Sequence, residues 1–259
     1  MTMDKNIDYE HLYGINPVYS LMTRNAGSRK IYGIILNKRR KINPKMHGII
    51  SEARKKNIDI LELEPDQFNR ASSENVYSQG VCAKVSPYNY GGLEHYLNKE
   101  AGGRSNLVIL DGVTDVGNFG SIIRNCNAFD FEGIIIPKRR SVALNERVSR
   151  ISAGALEEVK IFRVINIVRT IKELKERGFW IYGTTLEITP EVKYLDEVNF
   201  TLPLALVLGS EDRGISRLAG ANCDIMISIR LAGRMQSLNV SVASGIILYK
   251  VQEQIEKAK

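Results

Sequence analysis

The sequence predicts an α/β protein built from two domains. Residues 107–110 and 204–209 are continuous apolar runs, a pattern typical of strands that a parallel sheet buries on both faces. Amphipathic segments alternate with such runs and predict helices between the strands. The 259 residues exceed the usual size of one core, and paired glycines at 91–92 and 102–103 mark a linker. We therefore predict domains at residues 9–87 and 105–259, joined by a linker at 88–104.

The composition is that of a soluble chain without a disulfide framework or a metal cluster. Its three cysteines and three histidines are scattered along the sequence. No apolar run approaches the roughly 20 residues of a membrane span. The polar start at residues 1–10 lacks the apolar core of a signal peptide. We therefore expect a cytoplasmic protein that binds neither a metal nor a membrane.

Positive charge is concentrated in the first third of the chain. The net charge is +7, and residues 1–90 hold 14 basic and 9 acidic residues, a surplus of +5. Proteins that bind polyanions have such a surplus, but so do many that do not. Charge alone therefore leaves the partner open.

The first domain is predicted to alternate helices with strands. Asn16 followed by Pro17 has the pattern of a helix cap and a first-turn proline. Pro44 predicts the start of a second helix, which we expect to run to Lys56, and Pro65 predicts a third. Strands are predicted at residues 31–36, 58–63 and 80–85.

A basic run follows the strand at residues 31–36 and consists of Lys38, Arg39, Arg40 and Lys41. One interpretation is a solvated turn. The other is a loop that grips RNA phosphates, because backbone contacts dominate nucleic-acid affinity and need clustered cations. The sequence leaves both interpretations open.

The second domain is predicted to repeat a strand, a polar loop and a helix. After the strand at 107–110 come a helix at 118–129 and a strand at 133–136, then a helix at 167–177 and strands at 179–184 and 204–209. In such folds ligands bind at the carboxyl ends of the strands. Asn118 stands where a P-loop requires lysine, and the dinucleotide fingerprint is missing, which argues against both kinds of nucleotide site.

The last segment predicts a long helix after Ser237, which we expect to cap it. Apolar residues at helical spacing predict its buried face, and they are Leu238, Val242, Ile246, Tyr249 and Val251. An ordinary core helix explains these residues but not the polar Ser237 and Asn239 at its start. The free N–H groups of a helix start can hold the polar edge of a ligand.

Three segments that follow predicted strands carry polar residues in fixed patterns. The first motif holds Asn118, Gly120 and Arg124; the second holds Gly209, Glu211, Gly214 and Ile215; the third holds Gly233, Ser237, Leu238, Asn239 and Ser241. Together they resemble the signature motifs of the SpoU or TrmH-type RNA 2'-O-ribose methyltransferases of the SPOUT superfamily. Residues 13–22, 78–85 and 152–164 also resemble segments of this family. The resemblance is nearest to the RlmB-type branch, which methylates a guanosine ribose in large-subunit ribosomal RNA.

The resemblance implies a particular α/β architecture. Residues 105–259 would form a SpoU methyltransferase domain with a deep trefoil knot. Residues 9–87 would form a small ribosomal-protein-like domain that binds substrate RNA. The family resemblance further implies a homodimer and ribosomal RNA as the partner.

The resemblance also implies S-adenosyl-L-methionine as the cofactor. The residues expected around it are Leu208, Gly209, Ile229, Leu231, Gly233 and Leu238. The residues expected to act on the ribose are Asn118, Arg124, Glu211, Ser237 and Asn239. Arg124, contributed across the dimer interface, would activate the 2'-hydroxyl. Because a guanidinium is a poor base, a milder hypothesis is that Arg124 clamps the adjoining phosphate and lowers the pKa of the hydroxyl. Glu211 would pair with Arg124 or shape its own loop.

Two features depart from the family pattern. Arg230 stands where many relatives have proline, and Asn16 and Ser78 stand where the ribosomal branch often has histidine. Two other functions therefore stay open. One is a transfer-RNA ribose methyltransferase of the same family, and the other is a non-catalytic RNA-binding or ribosome-assembly protein on this fold.

Overall fold

The computed structural model describes residues 8–26, 28–72 and 78–257. Within these ranges the chain forms two compact units. The first unit runs to Asn89 and includes Leu144–Glu158, and the second comprises Tyr90–Ala143 and the chain from Val159 onward. The second unit thus starts earlier than the predicted domain 105–259 and lacks residues 144–158. The polar start at residues 1–7 and the last two residues, 258–259, lie outside the described residues.

The first unit is built on a four-stranded sheet. Its strands are β1 (Glu10–Tyr13), β2 (Ile31–Asn37), β3 (Ile60–Leu63) and β4 (Val81–Val85), in the order β1-β4-β2-β3. Strand β4 is antiparallel to both β1 and β2, and β2 is parallel to β3. Strand β1 was not predicted, because four residues are too few to establish a period.

The helices of the first unit are α1 (Ile15–Thr23), α2 (Pro44–Lys55) and α3 (Pro65–Ala71). Asn43 caps α2, since its side chain accepts a hydrogen bond from the Met46 N–H at 2.9 Å. The predicted cap at Asn16 is wrong. Helix α1 begins two residues earlier, at Ile15 rather than Pro17, and its capping position is Gly14, whose φ of 95° favours glycine. The Asn16 side chain instead accepts a hydrogen bond from the Lys45 ammonium group at 2.8 Å.

The second unit is built on a seven-stranded parallel sheet. Its strands are β5 (Asn106–Asp111), β6 (Gly133–Pro137), β7 (Lys160–Val164), β8 (Trp180–Thr184), β9 (Lys193–Tyr194), β10 (Leu204–Gly209) and β11 (Ile225–Ser228). Their order is β7-β6-β5-β10-β8-β11-β9, and every neighbouring pair is parallel. All six residues of the central β10 are buried. The predicted mixed α/β class, with a parallel sheet in the second half of the chain, is confirmed.

The remaining helices are α4 (Leu93–Lys99), α5 (Val116–Ala128), α6 (Glu146–Ile151), α7 (Ile167–Glu176), α8 (Arg217–Gly220) and α9 (Val240–Lys257). Helix α4 lies in the predicted linker. Helix α5 begins two residues before the predicted Asn118, because the Asp115 carboxylate accepts a hydrogen bond from the Asn118 N–H at 2.7 Å and caps the helix. No helix in the described ranges is long and apolar enough to cross a membrane.

Helix α9 differs from its prediction in both its start and its buried face. It begins at Val240, and Asn239 rather than Ser237 occupies the capping position: Asn239 Oδ1 accepts from the Ser241 N–H at 2.9 Å. The predicted inward residues Val242, Ile246 and Tyr249 are 52%, 39% and 56% exposed. The buried residues are Val240, Ser244, Ile247, Leu248 and Val251. Because apolar residues occupy both faces of α9, periodicity could not select the buried one.

Residues 144–158 are fixed within the first unit by their own contacts. Glu157 is fully buried and its carboxylate lies 3.0 Å from the Arg29 guanidinium, which also pairs with Glu10 at 2.6 Å. A Cβ added at Gly154, whose φ is 98°, would lie 3.0 Å from the backbone of Asn16. The sequence alone had assigned this segment to the second domain.

Candidate active site at the carboxyl ends of the strands

Four strand ends meet along one edge of the parallel sheet. In the sheet order β5, β10, β8 and β11 are consecutive, so the segments that follow them lie side by side. The Asp111 carboxylate at the end of β5 accepts a hydrogen bond from the Ser216 N–H at 2.8 Å. The end of β5 therefore fixes the second motif.

The second motif forms a closed turn after β10. Ser210 and Gly214 exchange two backbone hydrogen bonds of 3.1 and 2.9 Å, and Gly214 has a φ of 62°. A Cβ at Gly209 would overlap the backbone of Gly214 and Ile215. Only glycine fits at position 209, and its close approach gives the turn its shape.

Asn239 joins all three motifs. Its Oδ1 accepts from the N–H and the hydroxyl of Ser241, at 2.9 and 2.6 Å. Because these bonds occupy the oxygen, the amide nitrogen points the other way. There it donates to Asn118 Oδ1 at 2.9 Å and to the Glu211 carboxylate. One side chain thus caps α9 and ties the first and second motifs together.

A cleft opens beside this junction. Its empty volume is about 640 Å³, open solvent included. The predicted residues that line it are Gly209, Glu211, Ile229, Leu231, Ser237 and Leu238. Of the other two predicted cofactor residues, Leu208 is buried in β10 and Gly233 does not line the cleft. The apolar wall is completed by Val240, Ala243 and Ile247 of α9.

The contribution of β8 to the cleft was not predicted. Thr184, Thr185 and Leu186, at and after its carboxyl end, line the same cleft. The signal was present, since Thr184 and Thr185 stand at the end of the predicted strand 179–184 and directly after it. Without the strand order, however, nothing placed β8 between β10 and β11.

Arg124 stands apart from the other predicted catalytic residues. It is exposed on α5 and makes no hydrogen bond or ion pair within the described part of the chain. The neighbouring Asn125 donates to the Ser241 carbonyl at 2.9 Å and to the Ser244 hydroxyl at 2.8 Å, which holds α5 against α9. Glu211 pairs with Asn239 and not with Arg124.

Comparison with known proteins identifies the family. Residues 105–249 match the model of the SpoU rRNA Methylase family, which covers more than half of the chain. The chain belongs to the SpoU rRNA methylase family. Residues 11–91 match a second model, described as RNA 2'-O ribose methyltransferase substrate binding. The predicted family is thereby confirmed, and with it the assignment of the chain as an RNA methyltransferase.

Individual relatives agree with this family. A TrmH family tRNA/rRNA methyltransferase of Staphylococcus haemolyticus is 37% identical over 208 residues, which cover 80% of this chain and 82% of that protein. The A. aeolicus TrmH/SpoU tRNA modifying enzyme is 35% identical, covers 64% of this chain and 85% of its own, and has a TM-score of 0.55. The SpoU methyltransferase AviRb from Streptomyces viridochromogenes, solved with AdoMet, has a TM-score of 0.73 over 96% of this chain and 91% of its own. At 22% identity this last likeness shows the fold alone.

In this SpoU methylase, Arg230 is held by the edge of the sheet. Its guanidinium stacks on the Tyr194 ring at 3.7 Å from the centroid, and Nη2 lies 3.0 Å from the Glu197 carboxylate. Residues 229 and 231 on either side of it line the cleft. A proline at position 230 would restrain the backbone, whereas Arg230 holds this segment through the contacts of its side chain.

The basic run of the first unit divides into two pairs. Lys38 and Arg40 form ion pairs of 2.8 Å with Glu64 and Glu62. Arg39 and Lys41 are exposed and have no ion pair with any described residue. Only one half of the predicted RNA-binding run is therefore available to a phosphate without first breaking an ion pair.

The described residues contain no group of three His, Cys, Asp or Glu side chains that could hold a metal ion. Burial raises the pKa of the Cys82 and Cys223 thiols to about 12. These two thiols therefore stay protonated near neutral pH and are poor nucleophiles.

Proposed function

We propose that this chain transfers a methyl group from S-adenosylmethionine to a ribose 2'-oxygen, with a guanosine of large-subunit ribosomal RNA as the target. The observation that carries the proposal is the Asn239 junction, which brings Asn118, Glu211 and the start of α9 together at the mouth of the cleft. With RNA as its substrate, the protein is expected in the cytoplasm.

The cleft fits the proposed cofactor. Its walls combine aliphatic side chains, which suit an adenine ring, with the backbone of the third motif. In the described chain, residues 230–238 make no backbone hydrogen bonds outside the strand ladders, so their N–H and C=O groups are free to read a purine edge. When bound, S-adenosylmethionine supplies an electrophilic methyl group on its sulfonium sulfur. Gly209, Ile229, Leu231 and Leu238 would hold it.

The remaining task of the protein is to position the ribose and manage one proton. Arg124 can hold the phosphate next to the ribose through two parallel N–H bonds. This grip sets the 2'-oxygen in line for attack and lowers the pKa of its hydroxyl, whose proton passes to a phosphate oxygen. Asn118 and Ser237 orient the ribose, and Glu211 keeps the Asn239 amide directed at Asn118.

A homodimer is part of the proposal. Val242, Ile246 and Tyr249 form an exposed apolar stripe on α9, and Phe129 extends it through a ring contact of 5.9 Å with Tyr249. Arg124 is exposed on α5, the helix that packs against α9. If a second copy covers the stripe, the partner subunit's Arg124 can reach the cleft that Arg124 of its own chain does not contact. Replacing Ile246 with Asp should give a monomer that binds cofactor but transfers no methyl group, as light scattering and activity assays can test.

The trefoil knot is proposed for the second unit. In chain order β11 is the last strand, yet in the sheet it lies between β8 and β9. This insertion of late chain between earlier strands supports a threaded path, an exception to the usual rule that chains do not thread loops.

The experiment that tests the function is methyl transfer by the purified full chain. Labelled S-adenosylmethionine would be supplied with ribosomal RNA or transfer RNA from cells lacking the protein, with Arg124→Ala as the inactive control. Label in a guanosine ribose of large-subunit RNA supports the proposal. Label in transfer RNA alone would favour the alternative, a transfer-RNA ribose methyltransferase. The A. aeolicus TrmH/SpoU tRNA modifying enzyme, which is 35% identical, supports considering that alternative. No label in either RNA would contradict both.

A further inference from the structure

The first unit contains an open groove that the basic run only partly explains. It lies between the end of β2, the start of α2 and the turn before β4, and its empty volume is about 740 Å³ with open solvent included. Three side-chain amides line it, those of Asn37, Asn43 and Gln79, together with Arg39 and Lys41. We call this the donor groove.

The orientation of each amide in the donor groove is fixed by a backbone N–H. Asn37 Oδ1 accepts from Arg39 at 2.9 Å, Asn43 Oδ1 accepts from Met46 at 2.9 Å, and Gln79 Oε1 accepts from Ile15 at 3.1 Å. Only the oxygen of an amide can accept, so the NH₂ group of each must lie on the other side. No described residue accepts a hydrogen bond from any of these three NH₂ groups.

The side chains that line the donor groove include three cations and no carboxylate, and one of the three, Arg40, is paired with Glu62. Arg39 and Lys41 form no ion pair with any described carboxylate. Helix α2, 12 residues long, has no acidic residue in its first turn, so the positive end of its dipole is uncompensated. Arg40, whose side chain is 7% exposed, lines the groove as well, and its buried Nε–H has no acceptor in the described chain.

The side chains of the donor groove present three amide NH₂ groups and unpaired cations, while their amide oxygens are turned toward backbone N–H groups. Such a lining favours a ligand that accepts hydrogen bonds and carries negative charge. Base edges present both donors and acceptors, whereas phosphodiester oxygens only accept. We infer that the donor groove binds the sugar–phosphate backbone of the substrate RNA and positions it without reading its sequence. The inference rests on the proposed function, since it takes RNA as the substrate.

The decisive variant is Asn43→Asp. Aspartate is as good a helix cap as asparagine and keeps the oxygen that Met46 needs, but it replaces the free NH₂ by a negative oxygen. The matched control is Asn166→Asp, because Asn166 caps α7 in the second unit by the same bond, to the Arg169 N–H at 2.9 Å. We expect Asn43→Asp to weaken binding of a labelled single-stranded RNA about tenfold, and Asn166→Asp to leave it within about twofold. Thermal unfolding should be preserved in both variants.

A second pair of variants tests the cations. Arg39→Ser with Lys41→Ser should weaken RNA binding and lower the slope of log affinity against log salt by about 2. Arg54→Ser with Lys55→Ser removes the same charge from the last turn of α2 and should change the slope by less than half as much. Gln79→Glu should behave as Asn43→Asp does.

The outcomes separate this inference from the proposed function. Equal RNA binding by Asn43→Asp and Asn166→Asp would overturn the donor groove while leaving methyl transfer intact. Displacement of RNA by inorganic phosphate at matched ionic strength would assign the groove to a free anion and also overturn it. Failure of the wild-type chain to methylate any RNA, while Asn43→Asp still weakens RNA binding, would instead contradict the proposed function alone.

Discussion

The cleft of the second unit and the donor groove of the first use side-chain amides in opposite ways. Asn239 uses both ends of its amide within the protein: the oxygen caps α9, and the nitrogen holds Asn118 and Glu211. Asn43 and Gln79 use only their oxygens. Both ends of the Asn239 amide are therefore used within the protein, whereas the amides of the groove leave their NH₂ groups without a described acceptor.

This difference matches what each site has to do. A site for a small cofactor gains from walls that are fixed in advance, because less freedom is lost on binding. A surface for a polyanion gains from open donors and cations, because exchange with water and salt ions drives its binding. Four predictions test the contrast.

Arg124 takes no part in the hydrogen bonds that join Asn118, Glu211 and Asn239. If it clamps a phosphate, Arg124→Ala should lower kcat by about 100- to 10,000-fold with unchanged cofactor affinity. Arg124→Lys, which keeps the charge and loses the fork, should recover little of that activity. Single-turnover methyl transfer measures both variants. Near-full activity of the Lys variant would rule out the bidentate grip.

Gly209 tests whether the cleft is rigid. The added Cβ of Gly209→Ala meets the backbone of Gly214, so the turn must open. A cost of about 3 kcal/mol, or about 100-fold in affinity for S-adenosylhomocysteine, is expected by calorimetry. Gly102→Ala is the control, because a Cβ there meets nothing within 4 Å. Tight binding by the Gly209 variant would show that the turn adapts.

Asn239→Asp tests the junction directly. The substitution keeps the cap on α9 but replaces the donor to Asn118 and Glu211 by a second carboxylate. Cofactor affinity should fall about tenfold at neutral pH, the scale of one lost charge-assisted hydrogen bond. It should recover as pH falls, since like charges raise the pKa of such a pair and protonation of one member removes the repulsion. A loss that does not vary with pH would contradict this account.

Arg230 should have the smallest effect. Its contacts with Tyr194 and Glu197 are exposed, and such contacts contribute at most about 1 kcal/mol each. Arg230→Ala should raise the KM for S-adenosylmethionine about threefold and leave kcat unchanged. Arg230→Pro should restore the KM if a restrained backbone is all that position 230 provides. Steady-state kinetics at fixed RNA concentration distinguishes these outcomes.

Much of the cleft could be predicted because its determinants are local. The second and third motifs are each a run of a few residues, and their resemblance to the signature motifs of the family predicted Gly209, Glu211 and Leu238. Strand order is not local. The lining residues Thr184 and Thr185 were missed because their position depends on β8 lying next to β10.

The buried face of α9 and the ion pairs of the basic run could not be predicted, because each depends on tertiary packing. Helix α9 has apolar residues on both faces, and the predicted buried face contained Val242 and Ile246, whereas Ile247 and Leu248 are the buried residues. In the sequence, likewise, nothing distinguishes the four cations of the basic run from one another. Glu62 and Glu64, which pair with Arg40 and Lys38, become their neighbours only when β3 pairs with β2.

The position of Glu157 has a consequence for how the chain is made. The chain leaves the ribosome N-terminus first, and Glu157, whose carboxylate pairs with Arg29, is more than a hundred residues later in the sequence. The first unit therefore cannot finish folding until β5 and β6 of the second have already been synthesised. Domains usually fold as units, N-terminal first, during translation. Here the first unit lacks one partner of its buried Arg29 until Glu157 has been synthesised, and a fragment that ends at Asn89 would lack that carboxylate.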